Sequence, residues 1–314
     1  MTLKKKVFGS SLVAVTALVL AACGGNDTNS GNGGDSEDGY SPTDVLKVQF
    51  VPSQNAENLD VIAAPLEELL SERLDIDVEV SVSTDYPSVV TAMGSKTIDV
   101  GFLPPNAYVT ANEEGYADVL LQSLRYGVNE EDGSQTDELV NSYKSQFVVM
   151  ADSDIESLED LEGKTIAFQG ATSSAGYVWP AASLLDAGID PQNDVKGVEF
   201  QGHDAALIAL LNGEVDAAVT FQDARNTIKE EFPDVWEQTR VVALTEDIPN
   251  DTVSVRSDLS QEWRDKIADA FIEIGEDPEG RQIIFDIYSH EGYELSEDSN
   301  FDIVRDYAER IQQP

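Results

Sequence analysis

The chain has 314 residues, with 60 acidic and 19 basic side chains and a formal net charge of −41 at pH 7. Nucleic acid and anionic membrane surfaces are excluded as direct partners, because both repel a protein of this charge. A single cysteine excludes a disulfide within the chain.

The first 22 residues have the pattern of a secretory signal peptide. "MTLKKK" is basic, and the 14 residues of "VFGSSLVAVTALVL" are apolar but too short to span a bilayer. "LAAC" then places small residues before Cys23, which is typical of a lipobox. We predict that residues 1–22 are removed and that acyl chains on Cys23 anchor the protein.

Residues 23–44 are predicted to form a flexible tether. The stretch "GGNDTNSGNGGDSEDGYSP" has no apolar periodicity, and its composition favours a solvated coil. From Val45 onward about 270 residues remain, which can bury a large core and favour two lobes over one.

The body begins with a series of alternating strands and helices. We predict the strand "VLKVQFVP", the helix "LDVIAAPLEELLSERL", the strand "IDVEVSVS", the helix "YPSVVTAMG", the strand "IDVGFL", the helix "NAYVTANEEG" and the strand "VLLQSLRY". An acidic loop follows this series. Alternation of this kind indicates an α/β protein with mostly parallel strands.

A second series begins at "SQFVVMA". It continues through the strand "KTIAFQ", a helix over 174–187, the strand "VKGVEF", a helix over 203–212 and the strand "VDAAVT". The chain then returns through "RVVALTEDIPNDTVSVR" and ends in helices over 261–275, 279–288 and 301–312.

The stretch "QGATSSAGYVWP", Gln169–Pro180, places hydroxyl side chains at the start of a predicted helix. Such a start has unpaired N–H groups and a partial positive charge, and the two serines add further donors. An anion site that uses neither Lys nor Arg would result. The same residues also fit an ordinary capped helix, and the stretch alone leaves both interpretations open.

Six fragments in this order resemble a known family. The lipobox, "TDYPSVVTAM", "SYKSQFVV", "TSSAGYVWP", "GHDAALIALLNGEVDAA" and "IPNDTVSVR" resemble substrate-binding proteins of phosphonate, phosphite or phosphate ABC transporters. The resemblance implies a two-lobed type II periplasmic-binding fold with mostly parallel sheets and a ligand cleft between the lobes. Lobe 1 would comprise 45–144 and 250–314, and lobe 2 would comprise 145–249. Permease and ATPase subunits would be the partners, and no cofactor is implied.

The resemblance also implies an anion-binding set. The family's Ser-Thr-Ser motif falls on Ser173, Ser174 and Ala175, so the third hydroxyl is missing here. Thr172 is the candidate that compensates. His203 matches a histidine that donates to the phosphonate oxygens, although a surface or capping role fits the same residue.

The remaining candidates concern the other end of the ligand. Tyr143 falls in the family's Tyr-x-Ser segment near the ligand, and Tyr86 matches a tyrosine beside the ligand's amine. Asp223 and Asp251 match a glutamate and an aspartate that hold an ammonium group, with Asp223 one methylene shorter. Two carboxylates near a dianion repel it unless the ligand carries a cation, so an aminoalkylphosphonate is favoured. As isolated residues, both aspartates fit solvated surface acids.

Three alternatives are weighed against a solute receptor. A hydrolase would need more than Ser, His and Asp, and the chain has no G-x-S-x-G elbow, no His and Cys cluster and no P-loop. The same fold could bind phosphite, phosphate or a sulfonate, whereas an amino acid is disfavoured because these motifs hold no matched Arg. A purely structural surface lipoprotein would show no change on adding ligand.

Overall fold

The computed structural model describes residues 39–129 and 134–312. The predicted signal peptide, Cys23 and the first part of the tether lie outside these residues. Tyr40 already belongs to the folded body, because its backbone N–H donates to the carbonyl oxygen of Asp258 at 2.7 Å. The tether predicted to end at residue 44 therefore ends by Tyr40.

The described residues form a mixed α/β protein. The helices are α1 (Ala56–Leu74), α2 (Tyr86–Gly94), α3 (Pro105–Glu113), α4 (Trp179–Asp186), α5 (His203–Leu211), α6 (Val235–Gln238), α7 (Gln261–Glu276), α8 (Pro278–Tyr288) and α9 (Asp302–Gln312). The strands are β1 (Val45–Phe50), β2 (Asp77–Val82), β3 (Val100–Leu103), β4 (Ala117–Val128), β5 (Gln135–Val140), β6 (Ser142–Tyr143), β7 (Ser145–Met150), β8 (Thr165–Phe168), β9 (Lys196–Glu199), β10 (Ala217–Phe221), β11 (Thr239–Leu244), β12 (Ile248–Pro249), β13 (Thr252–Arg256) and β14 (Gly292–Leu295).

The strands form two main sheets. A seven-stranded sheet has the order β14-β4-β13-β3-β1-β2, with β5 added beside β4. A five-stranded sheet has the order β11-β7-β10-β8-β9. The first sheet draws its strands from 45–140 and 252–295, and the second draws its strands from 145–244. The chain therefore builds part of one sheet, then the whole of the other, and then returns to the first.

Both sheets are mixed, whereas the sequence predicts mostly parallel strands. Parallel pairing joins β1 to β2 and β3, and joins β8 to β9 and β10. The other pairs in these sheets, including β13 with β3 and β7 with β10, are antiparallel. The difference arises where the chain passes between the sheets, because β7 and β13 follow the short strands β6 and β12 without the crossover helix that a parallel pair needs.

Several short strands are absent from the sequence prediction. β5 lies in the predicted acidic loop, and its side chains are almost all exposed, so it shows no apolar face. β14 has four residues, and it becomes a strand by pairing with the long strand β4. Backbone pairing with a neighbour defines both strands, and a single-sequence pattern does not report that pairing.

The C-terminal helix α9 packs against helices that precede and follow the crossing between the two sheets. α9 packs against α3 and α4, and Tyr307 on α9 stacks on Trp179 at a centroid separation of 4.4 Å. Trp179 is fully buried in a cluster that also contains Tyr86, Leu103 and Ala175. This apolar cluster holds the turn that contains Ser173 and Ser174, called the serine-rich turn below, against the helices of the larger sheet.

Candidate functional site

A pocket of about 530 Å³, a volume that includes space open to solvent, lies at the carboxyl ends of the parallel strands of both sheets. It is called the cavity below. Its wall comprises Val51, Ser53, Gln54, Tyr86, Pro104, Arg125, Tyr143, Ser173, Ala175, His203, Phe221, Asp251, Tyr288 and Ser289. Many of these residues follow directly on β1, β2, β3, β8, β9 or β10. In α/β sheets, ligands bind beyond the carboxyl ends of the strands, and this cavity occupies that position in both sheets.

Four helical segments begin at the wall of this cavity. Tyr86 is the first residue of α2, and Pro104 is the N-cap of α3. Ser173 is the N-cap of a π-helical turn that continues into α4, and His203 is the first residue of α5. Each helix start carries a partial positive charge. N–H groups at these starts already donate within the protein, as that of Asn106 does to Ser174, that of Gly176 to Ser173 and that of His203 to the carbonyl oxygen of Ser53. The positive ends of four helix dipoles therefore converge on the cavity, and this arrangement suits an anion.

The serine-rich turn is held by its own side chains. Ser173 Oγ accepts a hydrogen bond from the N–H of Gly176 at 3.1 Å, which caps the turn. A Cβ atom at Gly176 would lie 1.9 Å from Gln169 Oε1, so this position requires glycine. The hydroxyl of Ser145 donates to the carbonyl oxygen of Ala175 at 2.6 Å. These contacts fix the direction in which Ser173 faces the cavity.

Of residues 172–175, two line the cavity and two lie outside its wall. Ser173 and Ala175 line the cavity, and Ala175 presents an apolar wall where the family has a hydroxyl. Ser174 is fully buried, and its Oγ accepts a hydrogen bond from the N–H of Asn106 at 2.9 Å. Thr172 Oγ1 is buried without a partner among the described residues and lies outside the cavity wall. Ligand contacts by Ser174 and Thr172 stay predictions.

His203 lies at the wall as predicted, in an unusual environment. The residue is 4% exposed, and its ring meets Phe221 edge to face at 4.8 Å. Burial lowers the pKa of His203 to about 3, so the imidazole is neutral near pH 7. Its Nδ1 is buried and has no hydrogen-bond partner in the described part of the chain. A bound oxyanion or its hydroxyl group would supply the missing partner.

Three tyrosines line the cavity, of which the sequence predicts two. Burial raises the pKa of Tyr86, Tyr143 and Tyr288, so each hydroxyl keeps its proton and can donate a hydrogen bond. The hydroxyl of Tyr86 contacts the side chain of Ser173, and that of Tyr288 donates to the carbonyl oxygen of Val51. Tyr86 and Tyr143 thus add protonated hydroxyls beside the helix starts, whereas the proton of Tyr288 is used by Val51 and that residue adds ring surface.

Asp251 lines the cavity, in agreement with its predicted position. Its side chain is 28% exposed, and Oδ2 lies 3.7 Å from Nε2 of His290. Burial lowers the pKa of His290, although Asp251 opposes that shift. A neutral His290 leaves the carboxylate of Asp251 as a negative group at the wall.

Asp223 has a different surrounding from the one predicted. It lies outside the cavity wall, and its Oδ1 is 3.5 Å from a terminal nitrogen of Arg125. Both side chains are buried, so Asp223 serves as the counterion of Arg125. Arg125 belongs to the cavity wall, so the wall contains a cation in addition to the serine-rich helix start for which the sequence predicts an anion site without Lys or Arg.

Arg125, Phe221 and Tyr288 are the main site residues that sequence reasoning misses. Arg125 stands within the predicted strand "VLLQSLRY", where a charged side chain follows an apolar run. That interruption was the available signal, because a cation in a largely buried strand requires a partner or a ligand. Tyr288 ends α8 more than 200 residues after Tyr86, so folding alone brings the two together.

No group of three or more His, Cys, Asp or Glu side chains within residues 39–129 and 134–312 is arranged to hold a metal ion. In the same ranges, no helix combines the length and apolar character that crossing a membrane requires.

Comparison with known proteins identifies the family of this chain. The sequence model of one family, the periplasmic substrate-binding proteins of phosphonate ABC transporters, matches residues 48–301. The phosphate-import protein PhnD of Mycolicibacterium smegmatis is 28% identical over 220 residues, which are 68% of this chain and 64% of that protein. The match therefore spans less than two thirds of the length of this curated relative.

Two solved structures have a similar fold. The binding component of an ABC phosphonate transporter from Pseudomonas aeruginosa has a TM-score of 0.75 at 21% identity, covering 86% of this chain and 87% of that one. PhnD1 from Prochlorococcus marinus, in complex with methylphosphonate, has a TM-score of 0.73 at 19% identity, covering 86% and 99%. At these identities the likeness concerns the fold, which is a two-lobed periplasmic-binding fold.

The family match covers the strands and helices that form the cavity, from β1 to the segment before α9. It is a family of transport binding proteins and not of enzymes, in agreement with the sequence prediction. The chain belongs to the family of periplasmic substrate-binding proteins of phosphonate ABC transporters.

Proposed function

We propose that this protein is the extracytoplasmic solute-binding component of an ABC importer and that it captures a phosphonate-type anion in the cavity. The convergence of four helix starts on one cavity carries the proposal. An oxyanion there would meet the positive ends of these helices, the hydroxyl of Ser173 and the buried imidazole of His203. Such neutral donors bind an anion without the cost of burying several cations.

The large negative charge of the chain does not oppose this assignment. Electrostatic effects in salt solution at physiological ionic strength fall off over about 8 Å, so most surface acids are screened from an enclosed cavity. Close dipoles and donors dominate the field at the site. Arg125 adds a positive charge within the wall itself.

The relatives support the phosphorus oxyanions as a class and leave the individual compound to experiment. The Mycolicibacterium protein carries the name of a phosphate importer, and the Prochlorococcus protein was solved with methylphosphonate. Phosphate, phosphite and sulfonates remain the alternatives within the same fold. The structure supports an aminoalkylphosphonate less than the sequence analysis does, because Asp223 pairs with Arg125 and only Asp251 of the two aspartates lines the cavity.

The two lobes are proposed to be 45–144 with 250–314 and 145–249. The strand content of the two sheets supports this division, since 145–244 supplies the whole five-stranded sheet. The cavity wall combines residues that follow strands of both sheets. Closing one lobe on the other would exchange the ligand's hydration for fixed donors and present the closed protein to the permease and ATPase subunits.

The lipid anchor is part of the same proposal. The lipobox before Cys23 supports acylation of that cysteine, and the Gly- and Asp-rich stretch after it supports a tether at the outer face of the cell membrane. Anchoring would keep the folded body near the permease.

Calorimetric titration of the purified protein tests the ligand class. The panel consists of methylphosphonate, 2-aminoethylphosphonate, phosphate, phosphite and methanesulfonate, each at the same ionic strength. We expect at least one phosphonate to bind with a Kd of about 1 μM or below, a binding free energy near −8 kcal/mol. Preferential binding of phosphate or the sulfonate would assign the alternative function, and turnover of a phosphonate ester would indicate a hydrolase.

A further inference from the structure

We propose that residues 53–55 and 202–204 form a clasp between the two proposed lobes, and that Asp204 holds this clasp together and slows ligand release without contacting the ligand. The first segment lies between β1 and α1, and the second contains the start of α5. The inference rests on the proposed function, because it concerns the opening and closing of the same cavity.

Two hydrogen bonds join the segments of the clasp. The backbone N–H of His203 donates to the carbonyl oxygen of Ser53 at 3.0 Å. The backbone N–H of Asn55 donates to Oδ2 of Asp204, also at 3.0 Å. The first bond uses backbone atoms only, whereas the second depends on the carboxylate of Asp204. Asp204 is therefore the residue whose side chain decides how strongly the segments are held.

The two backbones also approach closely beside these bonds. Gly202 has a φ of +92°, and a Cβ atom there would lie 3.2 Å from the carbonyl carbon of Gln54, so the position requires glycine. The side chain of Gln54 is itself held, because its Nε2 donates to the carbonyl oxygen of Ile287 at 3.0 Å. A contact with this segment therefore ties the start of α5 to the lobe that contains α1 and α8.

The clasp borders the cavity, although Asp204 lies outside it. Ser53, Gln54 and His203 belong to the lining residues, whereas Asn55 and Asp204 do not. Separation of the two segments would move lining residues apart and open this part of the wall. Asp204 is therefore a positioning residue, which acts on the ligand through its neighbours.

The clasp is a polar contact that water can replace. Asn55 is exposed, whereas elsewhere the two proposed lobes share the buried apolar cluster that contains Tyr86, Leu103, Ala175 and Trp179. Exposing apolar groups to water costs more than exchanging a surface hydrogen bond for one with water. The lobes are therefore expected to separate at the clasp and to stay joined at the cluster.

The carboxylate of Asp204 is only partly compensated in the clasp. Burial raises the pKa of Asp204, and hydrogen bonds from the backbone N–H groups of Ala205 and Asn55 act against that shift. Its Oδ1 atom is buried and has no hydrogen-bond partner within residues 39–129 and 134–312. The clasp thus loses some hydration as it forms, which keeps it weak enough to open for release.

The first test substitutes Asp204 and uses methylphosphonate or 2-aminoethylphosphonate, whichever binds wild type more tightly. Asp204→Ala should raise the Kd measured by calorimetry about 5- to 20-fold. Stopped-flow mixing should assign most of this change to koff, because the ligand enters before the clasp forms. Asp204→Asn keeps an acceptor oxygen and should recover most of the lost affinity.

A second test reaches the clasp from the other segment and does not depend on Asp204→Ala folding. Asn55 has a φ of −53°, which proline also adopts, so Asn55→Pro removes the N–H donor at a compatible φ. Asn55→Ala keeps this N–H, and both variants lose the side-chain cap that Asn55 provides to the N–H of Asn58. The koff of Asn55→Pro should exceed that of Asn55→Ala by about 5-fold or more. Adding Asp204→Ala to Asn55→Pro should cause no further increase, because the same hydrogen bond is already broken.

Tighter binding by Asp204→Ala would mean that the carboxylate repels the anion, and it would overturn the inference while leaving the proposed function intact. An unchanged koff in Asp204→Ala, or equal koff values for Asn55→Pro and Asn55→Ala, would do the same. If wild type binds neither phosphonate, the proposed function fails and the inference fails with it.

Discussion

The Oγ atom of Ser174 accepts a hydrogen bond from the backbone N–H of Asn106 at 2.9 Å. One residue of the serine-rich turn therefore caps α3, whose own N-cap residue, Pro104, provides no side-chain hydrogen bond. The neighbouring Ser173 instead faces the cavity. Two adjacent hydroxyls thus have separate surroundings, and their substitution should have separable effects.

Ser174→Ala should lower the stability of the ligand-free protein. Loss of the cap on α3 is expected to reduce the free energy of unfolding by about 0.5–2 kcal/mol. Urea unfolding followed by circular dichroism measures the change. Ser183→Ala on α4 is the control, with an expected change within about 0.5 kcal/mol. Equal stability of Ser174→Ala and wild type would show that the contact with Asn106 contributes nothing.

Ser173→Ala should weaken phosphonate binding. A hydroxyl that donates to a charged oxygen contributes about 1.5–3 kcal/mol, so the Kd should rise about 10- to 150-fold. Calorimetry on Ser173→Ala and Ser174→Ala, with unfolding curves for both, separates binding from stability. If the two variants lose the same affinity, Ser174 also contacts the ligand, as the sequence predicts. An unchanged Kd for Ser173→Ala would contradict an anion site at this turn.

His203 should make the protein less stable in mild acid. Its pKa is about 3 in the folded protein and about 6.5 when unfolded, so the unfolded state binds more protons between these values. Protonation of His203 leaves the free energy of unfolding unchanged above pH 6.5 and lowers it as the pH falls, by about 2 kcal/mol at pH 5. His203→Gln should remove this part of the pH dependence, as urea unfolding at pH 7.5 and 5 would show.

Wild type and His203→Gln share the same carboxylates and the same His290, whose lowered pKa also reduces stability in acid. The difference between the two proteins therefore reports His203 alone. Parallel stability profiles for wild type and His203→Gln would mean that His203 titrates normally in the folded state. In that case its imidazole is solvated rather than buried in the cavity wall.

Asp223→Asn should destabilise the fold. The change leaves Arg125 as a buried cation without its counterion, and removal of one partner of such a pair costs up to about 3–5 kcal/mol. Asp251→Asn is the control, because its side chain is 28% exposed and its stability effect should be small. Thermal unfolding measures both. Wild-type stability of Asp223→Asn would show that Arg125 is neutralised by another group.

Cys23→Ser should release the protein from membranes or leave the signal segment unprocessed, because acylation requires the thiol. Fractionation of cells that express the full chain, with immunoblotting, measures the distribution. Ser30→Ala, a change in the predicted tether, is the control and should leave the protein with the membranes. Membrane association of Cys23→Ser equal to that of wild type would refute the lipobox interpretation.

The sequence predicts most of the local structure around the site. Apolar periodicity and turn residues indicate the helices that begin near Tyr86, Ser174 and His203. The structure begins α2 and α5 at the predicted residues, but at Ser174 it has a π-helical turn and α4 begins only at Trp179. Residues at these starts share an edge because strands β1, β2, β3, β8, β9 and β10 end there. The position of Ser173 at the cavity could be anticipated from this helix start, whereas His203, Tyr86, Tyr143 and Asp251 are predicted from the resemblance to the family.

The sequence pattern does not report which distant groups become neighbours. Arg125 and Asp223 pair across 98 positions, and Tyr288 reaches the cavity from a helix near the C-terminus. The direction of β4, β7 and β13 likewise depends on the partner strand, because an isolated strand pairs equally well in either direction.

By itself, the sequence determined the order of elements and the hydroxyl-rich helix start, since both depend on local periodicity and on residues adjacent in the chain. Only the tertiary structure decided that Ser174 caps α3, that Arg125 lines the cavity and that Asp223 is its counterion. The physical reason is that burial and charge pairing depend on the surroundings of a side chain, and distant segments create those surroundings only when the chain folds.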